Sequence, residues 1–484
     1  LEDPLEEKEK YEYGLKCFKY VNQLEPEGLN LIFEIVKSQG LSHKSYFIGS
    51  RGAAAVIDPR RDVDIYLDIA REHDMNVEMV FETHRNEDYT VGSLELSKLV
   101  DAEIYHGAAL DFGYGNPTHE GDIFKLGSLQ LEVIETPGHT HESISITVKD
   151  KDSSDDVYMV FTGDTLFAGE VGRCDIYGPE EVEVMANSLY ESINQKILPL
   201  GDGVIICPAH GSGSVCGAEI RDVDITTVGY EKRTNPILQK TRKEFVEHKV
   251  AERFYIPPYF KRMELNNQQG ADILCRLPQL RSISTVELQD IGEGVQVVDV
   301  RGPESFAGGH IPGTLNLWSE GVPAFAGWFL NYEDPIVLVD DDGSRIEGVE
   351  KYLIRLGYDN VYGYLSGGFS SWFKSAGPLE TIKTCSVQEL HDEMGDPSLF
   401  LLDVRKEWEW EEERIRGSHN LYLGILEKNL KKIPKDKSVV VYCDSGYKAG
   451  VAASILKMNG YKDVTNVLGS MMAWKSAGYP TSRD

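Results

Sequence analysis

At 484 residues the chain exceeds what one hydrophobic core organises, so about three domains of about 100–200 residues each are expected. Hydrophobic residues make up 41% and charged residues 26%, with no low-complexity tract and no apolar run near the roughly 18 residues a membrane span needs, which argues against disordered and membrane-spanning classes. The formal net charge is -30, from 49 Lys plus Arg against 79 Asp plus Glu; the resulting field repels nucleic acid and anionic lipid and leaves small-molecule chemistry as the default.

The stretch from Leu1 is acidic and has no basic segment leading into an apolar one, so any signal peptide is expected to have been removed already or never to have existed. Seven cysteines (Cys17, Cys174, Cys207, Cys216, Cys275, Cys385, Cys443) are few, odd in number and scattered, which is not a disulfide framework and suits a reducing, cytoplasmic setting. After an N-terminal extension of about 25 residues, short β-branched and aromatic runs alternate with amphipathic segments as in an α/β domain. Strands are expected over Ser45–Ile48, Ala54–Asp58, Val77–Glu82, Leu129–Glu135, Val157–Thr162 and Val204–Cys207, and helices over Val63–Glu72, Leu94–Leu99 and Val182–Ile197. Between 235 and 280, a charged helical stretch over Lys240–Phe254 runs into Pro257-Pro258, which end it, and the segment reads as an ordered connector wrapped on the first domain.

Beyond the connector the sequence repeats with a period slightly above a hundred residues. Val297-Val298-Asp299-Val300-Arg301 returns as Leu401-Leu402-Asp403-Val404-Arg405, Ile336–Val339 as Val439–Tyr442, Gly357-Tyr358 as Gly460-Tyr461, and Trp372 as Trp474. The expected organisation is therefore residues 1–234, a connector over 235–280, and two copies of one α/β unit over 281–380 and 381–484.

Within the first domain, His and Asp fall at the expected C-terminal ends of strands: Thr83-His84-Arg85-Asn86-Glu87-Asp88-Tyr89, Thr136-Pro137-Gly138-His139, Thr162-Gly163-Asp164 and Pro208-Ala209-His210. Strand ends facing one side converge on one pocket. One such His is ordinarily a core residue, but four ends, each beside a Gly or Thr turn, point to a metal, and imidazole with carboxylate suits zinc or iron better than magnesium or calcium.

These segments resemble the metal motifs of the metallo-β-lactamase fold over roughly residues 28–230, which implies an αββα sandwich. The dinuclear hydrolases of that family carry His-x-His-x-Asp-His; here Asn86 stands at the second His and Tyr89 at the last. The resemblance leaves His84, His139 and Asp164 around one metal, the two-His-one-carboxylate set of non-haem Fe(II) oxygenases. Within the fold this pattern, with Gly172-Arg173-Cys174-Asp175 and the Pro257-Pro258-Tyr259-Phe260 stretch, is similar to persulfide dioxygenase-rhodanese fusions. It implies one Fe(II) per chain that oxidises a low-molecular-weight thiol persulfide, such as glutathione persulfide, with dioxygen to sulfite and thiol. Asp88 and His210 are then expected to hydrogen-bond ligands or water rather than hold a second metal, with Tyr89 donating to substrate or filling space. Arg173 is open between gripping a substrate carboxylate and pairing with Asp175. Cys216 is open between carrying a persulfide and being a buried apolar residue, with the latter favoured.

In the second repeat, Cys443-Asp444-Ser445-Gly446-Tyr447-Lys448 runs from a strand end into a helix, whose N–H groups and dipole face the sulfur and favour a thiolate. This resembles the active loop of rhodanese-type sulfurtransferases over roughly 384–480, implying that Cys443 takes up and passes on sulfane sulfur, with thiosulfate and sulfite as its partners. The family commonly ends the loop in Arg, whereas this chain has Lys448, a point charge. The first repeat resembles the same fold, but Asp340 occupies the place of Cys443, so that copy is expected to be silent and to space or dock its neighbours. The competing readings are a mononuclear zinc hydrolase of the thioester class fused to a sulfurtransferase, and a sulfur carrier with a vestigial metal domain. A homo-oligomer is compatible with each.

Overall fold

The computed structural model describes residues 31–483 apart from 218 and 293; the N-terminal extension and Cys17 lie outside the described residues. Alternation along the first strands sets the architecture. In His43–Ser50, Tyr46 and Ile48 face one core and Phe47 the other; in Ala53–Ile57, Ala55 and Ile57 face the first core, Ala54 and Val56 the second. A strand side chain points to opposite faces with period two, so a sheet whose strands are apolar at both parities is covered on both sides.

That sheet has six strands in chain order, Leu31–Ser38, His43–Ser50, Ala53–Ile57, Asn76–Phe81, Glu103–Gly107 and Asn116–Thr118, antiparallel at its start and parallel from Ala53–Ile57 onward. A second six-stranded sheet runs Ile123–Leu126, Leu129–Glu135, Ile144–Asp150, Met159–Gly163, Ile205–Pro208, Thr226–Thr227. Its Leu131, Ile146, Val148 and Phe161 meet Ile48, Ile57 and Phe81 between the sheets. Helices Asp64–Glu72 and Ser93–Val100 cover one outer face, and Val182–Glu191, widening into a π-helical turn over Ser192–Ile197, covers the other. This is the αββα sandwich.

Strand Ile144–Asp150 had no expectation in the sequence because Ser145 and Thr147, both buried, interrupt its apolar residues. The connector helix spans Arg242–Ala251 rather than reaching Phe254: the chain turns extended at Glu252, whose carboxylate folds back onto Lys249 at 2.6 Å before the prolines are reached. A capping box at Thr241 and Glu244 starts it, and Phe245 seats it on the Val182–Glu191 helix. A second connector helix, Phe260–Gln269, follows the prolines and packs on the loop after Asn76–Phe81.

The two repeats form five-stranded parallel sheets with the same order, first, fifth, fourth, second and third strand. Their agreement extends to single hydrogen bonds. Arg301 grips Asp299 and Arg405 grips Asp403, both at 2.6 Å; Asn316 and Asn420 each donate to the two carbonyls flanking that turn; Trp372 and Trp474 each donate to the carbonyl of a proline six residues on. A single apolar core runs from Tyr89 and Val91 through Tyr259, Phe260 and Met263 of the connector into both repeats. The first repeat also meets the sandwich through a buried ion pair, Arg355 with Asp62 at 2.8 and 2.7 Å, and a backbone bond from Thr90 to Arg355. No helix among the described residues is long and apolar enough to cross a membrane.

Candidate metal centre and thiol loop

His84 follows strand Asn76–Phe81, His139 follows Leu129–Glu135, Asp164 follows Met159–Gly163 and His210 follows Ile205–Pro208. Because these strands end on one side of the sandwich, the four side chains meet, and all are buried. One donor atom each from His84, His139 and Asp164 lies within 4.8 Å of the others, with Asp164 Oδ2 at 3.8 Å from His84 Nε2 and 3.6 Å from His139 Nε2.

What orients them is the other atom of each group. Thr83 Oγ1 sits 2.9 Å from His84 Nδ1 and donates to Asp58 at 2.7 Å, while a second bond to Asp58 comes from the Thr83 backbone. His139 Nδ1 meets the Arg173 carbonyl at 2.9 Å, and Asp164 Oδ1 meets His210 Nδ1 at 2.7 Å. That leaves His84 Nε2, His139 Nε2 and Asp164 Oδ2 buried and without hydrogen-bond partners, all facing one point. Buried polar atoms left unpaired are costly, and partners that fix a ligand's second atom are how proteins aim a metal site. Gly163, at φ +52°, is required here, since a Cβ would lie 2.6 Å from Thr83 Oγ1.

The field agrees. Burial alone would lower the His139 imidazole, yet Glu87 and Asp164 raise it to about 9, and burial would raise the Asp164 carboxyl, yet His210, His84 and His139 hold it well below the usual range. A pocket that pulls protons onto an imidazole carries surplus negative charge, which suits a cation. The donor set, two imidazoles and one carboxylate with free faces, fits a first-row transition metal.

Glu87 is a residue the sequence reading passed over. It is fully buried, with Oε1 at 3.2 Å from His139 Nε2 and Oε2 unpaired. Asp58 and Asn267 were also missed. Asn267, on the second connector helix, donates to the carbonyls of Asn86 at 2.6 Å and Tyr89 at 2.7 Å and accepts from Val91 at 2.9 Å, so the connector braces the metal loop.

Asn86 turns back to the His84 carbonyl at 3.3 Å, and Tyr89 lies tilted against His43 with ring centroids 4.0 Å apart, its hydroxyl directed at the Asp58 carbonyl at 3.4 Å. Neither side chain joins the donor cluster. Asp88 meets His210 Nε2 at 3.1 Å. Arg173 is committed to Asp175 through two bonds of 2.6 and 2.7 Å and to the Val215 carbonyl at 3.1 Å, with Phe254 over its guanidinium at 4.4 Å; of the two readings left open, this geometry is the pair with Asp175. Cys216 is fully buried, its Sγ 3.6 Å from Glu87 Oε1, and burial followed by the charges of Asp88, Glu87 and Asp164 raises its thiol well above the ordinary value.

In the second repeat Cys443 follows strand Ser438–Tyr442 and precedes helix Tyr447–Met458. Its sulfur is buried and accepts from the Gly446 backbone at 3.1 Å, and Lys448 lies half-buried in the first helical turn. In the first repeat the same place holds buried Asp340, which accepts from the Arg345 backbone at 3.1 Å and guanidinium at 2.5 Å. That carboxylate closes its own loop.

Comparison with known proteins identifies the domains that hold these residues. The metallo-β-lactamase superfamily model matches residues 39–210, and the rhodanese-like domain model matches twice, at 284–375 and 386–477. Hydroxyacylglutathione hydrolase GloC of Haemophilus influenzae is 31% identical over 208 residues, which take in 38% of this chain and 87% of that protein. The mitochondrial persulfide dioxygenase of Mus musculus is 28% identical over 225 residues, 44% of this chain and 77% of that one. Among solved structures, a metallo-β-lactamase from Staphylococcus aureus superposes with a TM-score of 0.63 at 29% identity, covering 70% of this chain and 99% of that chain.

Proposed function

Since the chain belongs to the metallo-β-lactamase superfamily and carries two rhodanese-like domains behind that fold, we propose that it oxidises a low-molecular-weight thiol persulfide to sulfite and then exchanges sulfane sulfur at Cys443. One persulfide, one dioxygen and one water give one thiol and one sulfite. The observation that supports this reading most is the trio His84 Nε2, His139 Nε2 and Asp164 Oδ2, convergent and without hydrogen bonds, on the same chain as a buried rhodanese-type thiol.

His84, His139 and Asp164 would hold one Fe(II), which when bound supplies the redox chemistry that couples a sulfur anion to dioxygen and that zinc lacks. The chain's own residues do the rest. Asp58 and Thr83 hold His84 in one ring orientation, the Arg173 carbonyl holds His139, and His210 holds Asp164, so the donors need no rearrangement to bind. Burial of all three donors keeps bulk water away from a reactive sulfur species.

At the second site, the Cys443 thiolate attacks the outer sulfur of thiosulfate, the S–S bond breaks, and sulfite leaves with the electron pair; an acceptor thiolate then takes the sulfur and restores Cys443. Run in reverse, the same exchange converts sulfite and a persulfide sulfur to thiosulfate. The Gly446 N–H at 3.1 Å stabilises the sulfur anion, and Lys448 offers a cation for the anionic substrate.

The likeness to a hydroxyacylglutathione hydrolase favours one other reading, a zinc-dependent thioester hydrolase joined to a sulfurtransferase. Assaying anaerobically purified protein for metal, for oxygen uptake on glutathione persulfide and for thioester cleavage separates them. Iron with oxygen uptake is the expected result; zinc with thioester cleavage and no oxygen uptake would sink the proposal.

A further inference from the structure

Three successive residues of the connector bind the metal domain to the second repeat. Arg253 pairs with Glu411 of that repeat at 2.9 Å, Phe254 lies over the Arg173 guanidinium at 4.4 Å, and Tyr255 stacks on Trp408 and Tyr422 with ring centroids 5.3 and 4.2 Å apart. Arg173 belongs to the metal centre's surroundings, since its carbonyl holds His139 Nδ1 at 2.9 Å. Trp408 belongs to the thiol side: Lys406 Nζ lies 5.3 Å from its ring centroid, and Lys406 directly follows Arg405, which grips Asp403 at 2.6 Å. Adjacent side chains of one segment therefore link the residue behind His139 to the frame of the Cys443 loop.

This seam gathers cations in a chain whose net charge is -30. Lys406 and Lys448 are both half-buried, and among the described residues no carboxylate is in ion-pair contact with either ammonium. Glu409, the carboxylate that acts on Lys406, is held by the Lys406 backbone N–H at 2.9 Å. Burial lowers the Lys406 ammonium below its ordinary pKa, Glu409 acts against this, and Lys448 and Arg173 lower it further. Lys406 thus feels the Cys443 loop and the residue behind His139 at once, and stands between them. Arg173 is itself committed to Asp175, so the cations open to a ligand are the two lysines. Two ammonium groups that repel one another, both partly out of water, are stabilised by an anion between them.

We infer that Lys406 and Lys448 form an anion site on the side of the Cys443 loop facing the metal domain, and that it holds sulfite made at the metal centre until it meets the sulfur carried by Cys443. The inference rests on the proposed oxidation and adds where its product goes. In the step served, the lone pair of the sulfite sulfur attacks the outer sulfur of the Cys443 persulfide, the sulfur–sulfur bond to Cys443 breaks, and its electron pair stays on the Cys443 thiolate. Thiosulfate leaves and no oxidant is consumed. A second molecule of thiol persulfide supplies the sulfur on Cys443, with its thiol as leaving group. Sulfite and the persulfide are both anions, so cations between them lower the barrier to their meeting. The field of the whole chain drives sulfite away, whereas two local ammonium groups retain it.

Isotope dilution tests this. Iron-loaded full-length protein is given dioxygen and glutathione persulfide whose outer sulfur is a heavy isotope, in the presence of excess unlabelled sulfite, and the thiosulfate formed is weighed by mass spectrometry. Sulfite that reaches solution is diluted before use, so thiosulfate made from it carries one heavy sulfur; sulfite retained at the seam gives two. The expected result is doubly labelled thiosulfate in excess of the share set by the sulfite in solution, an excess lost in Lys406→Gln and kept in Lys406→Arg. Cys443→Ser reports the direct reaction of sulfite with persulfide and should show no excess. Because the label share is a ratio, a slower variant still reports it. A wild type that forms neither heavy sulfite nor heavy thiosulfate would overturn the proposed oxidation and this inference with it. Both products formed without an excess in the wild type, or an excess that Lys406→Gln retains, would overturn the inference alone.

Discussion

The two rhodanese-like copies repeat one another bond for bond around Asp299-Arg301 and Asp403-Arg405, then part at one loop. In the second copy the strand Ser438–Tyr442 delivers a buried sulfur, Cys443, to a loop whose Gly446 N–H donates to it and which ends in Lys448; in the first, the strand Ile336–Val339 delivers Asp340, whose carboxylate is occupied by Arg345. The frame is thus a matter of packing and the loop a matter of chemistry. The copy without a thiol has the larger structural share: Arg355 and Thr90 tie it to the metal domain, and Ser454, on the Cys443 helix, accepts from its Asn316 N–H at 3.1 Å. It touches the metal domain and the Cys443 helix and carries neither site.

Four substitutions bear on that contrast. Cys443→Ser should abolish sulfur transfer from thiosulfate to a thiol acceptor, and adding Asp340→Cys to that variant should not restore it, since that position faces Arg345 and has neither the Gly446 N–H nor Lys448 beside it; measurable transfer by the double variant would break the comparison. Arg355→Ala removes two charged hydrogen bonds from buried Asp62, between the silent copy and the metal domain, and leaves it Arg60 at 3.2 Å, so it should cost about 1.5–3 kcal/mol in chemical denaturation; a change within experimental scatter would mean the copy is not a dock. Smallest is Asp58→Asn, which removes the anchor of Thr83 and His84 and should weaken metal binding by about 10–100-fold while leaving rhodanese activity at the wild-type level. Loss of both activities together would show a folding defect instead.

The features that were legible from the sequence are those that local rules determine. His84, His139, Asp164 and His210 stand at strand ends because Gly and Thr turns follow apolar runs, and parallel strands bring such ends together. Cys443 was legible from a strand, a glycine turn and a helix in direct succession. What escaped depends on contacts between distant segments. Glu87 reads as an ordinary acidic residue until His139, 52 residues on, is seen against it, and Asn267 reads as polar surface on a charged connector until it is found bonded to the metal loop. The helix Phe260–Gln269 lacked a sequence signal because its buried face, Phe260, Met263 and Asn267, contains one polar residue in three. Cys216 and Asp88, 128 residues apart, meet only through the fold.

The central claim, that His84, His139 and Asp164 serve an oxidation of persulfide sulfur, is tested most directly by stoichiometry. Iron-loaded wild-type protein is given a limiting amount of glutathione persulfide in an oxygen electrode, and oxygen consumed, sulfite plus thiosulfate formed and thiol released are counted, with His139→Ala in parallel. One dioxygen should be consumed for each sulfite or thiosulfate formed, with one thiol released per sulfite and two per thiosulfate, and His139→Ala should take up no oxygen. Thiol release without oxygen consumption, or uptake that His139→Ala retains, would contradict it.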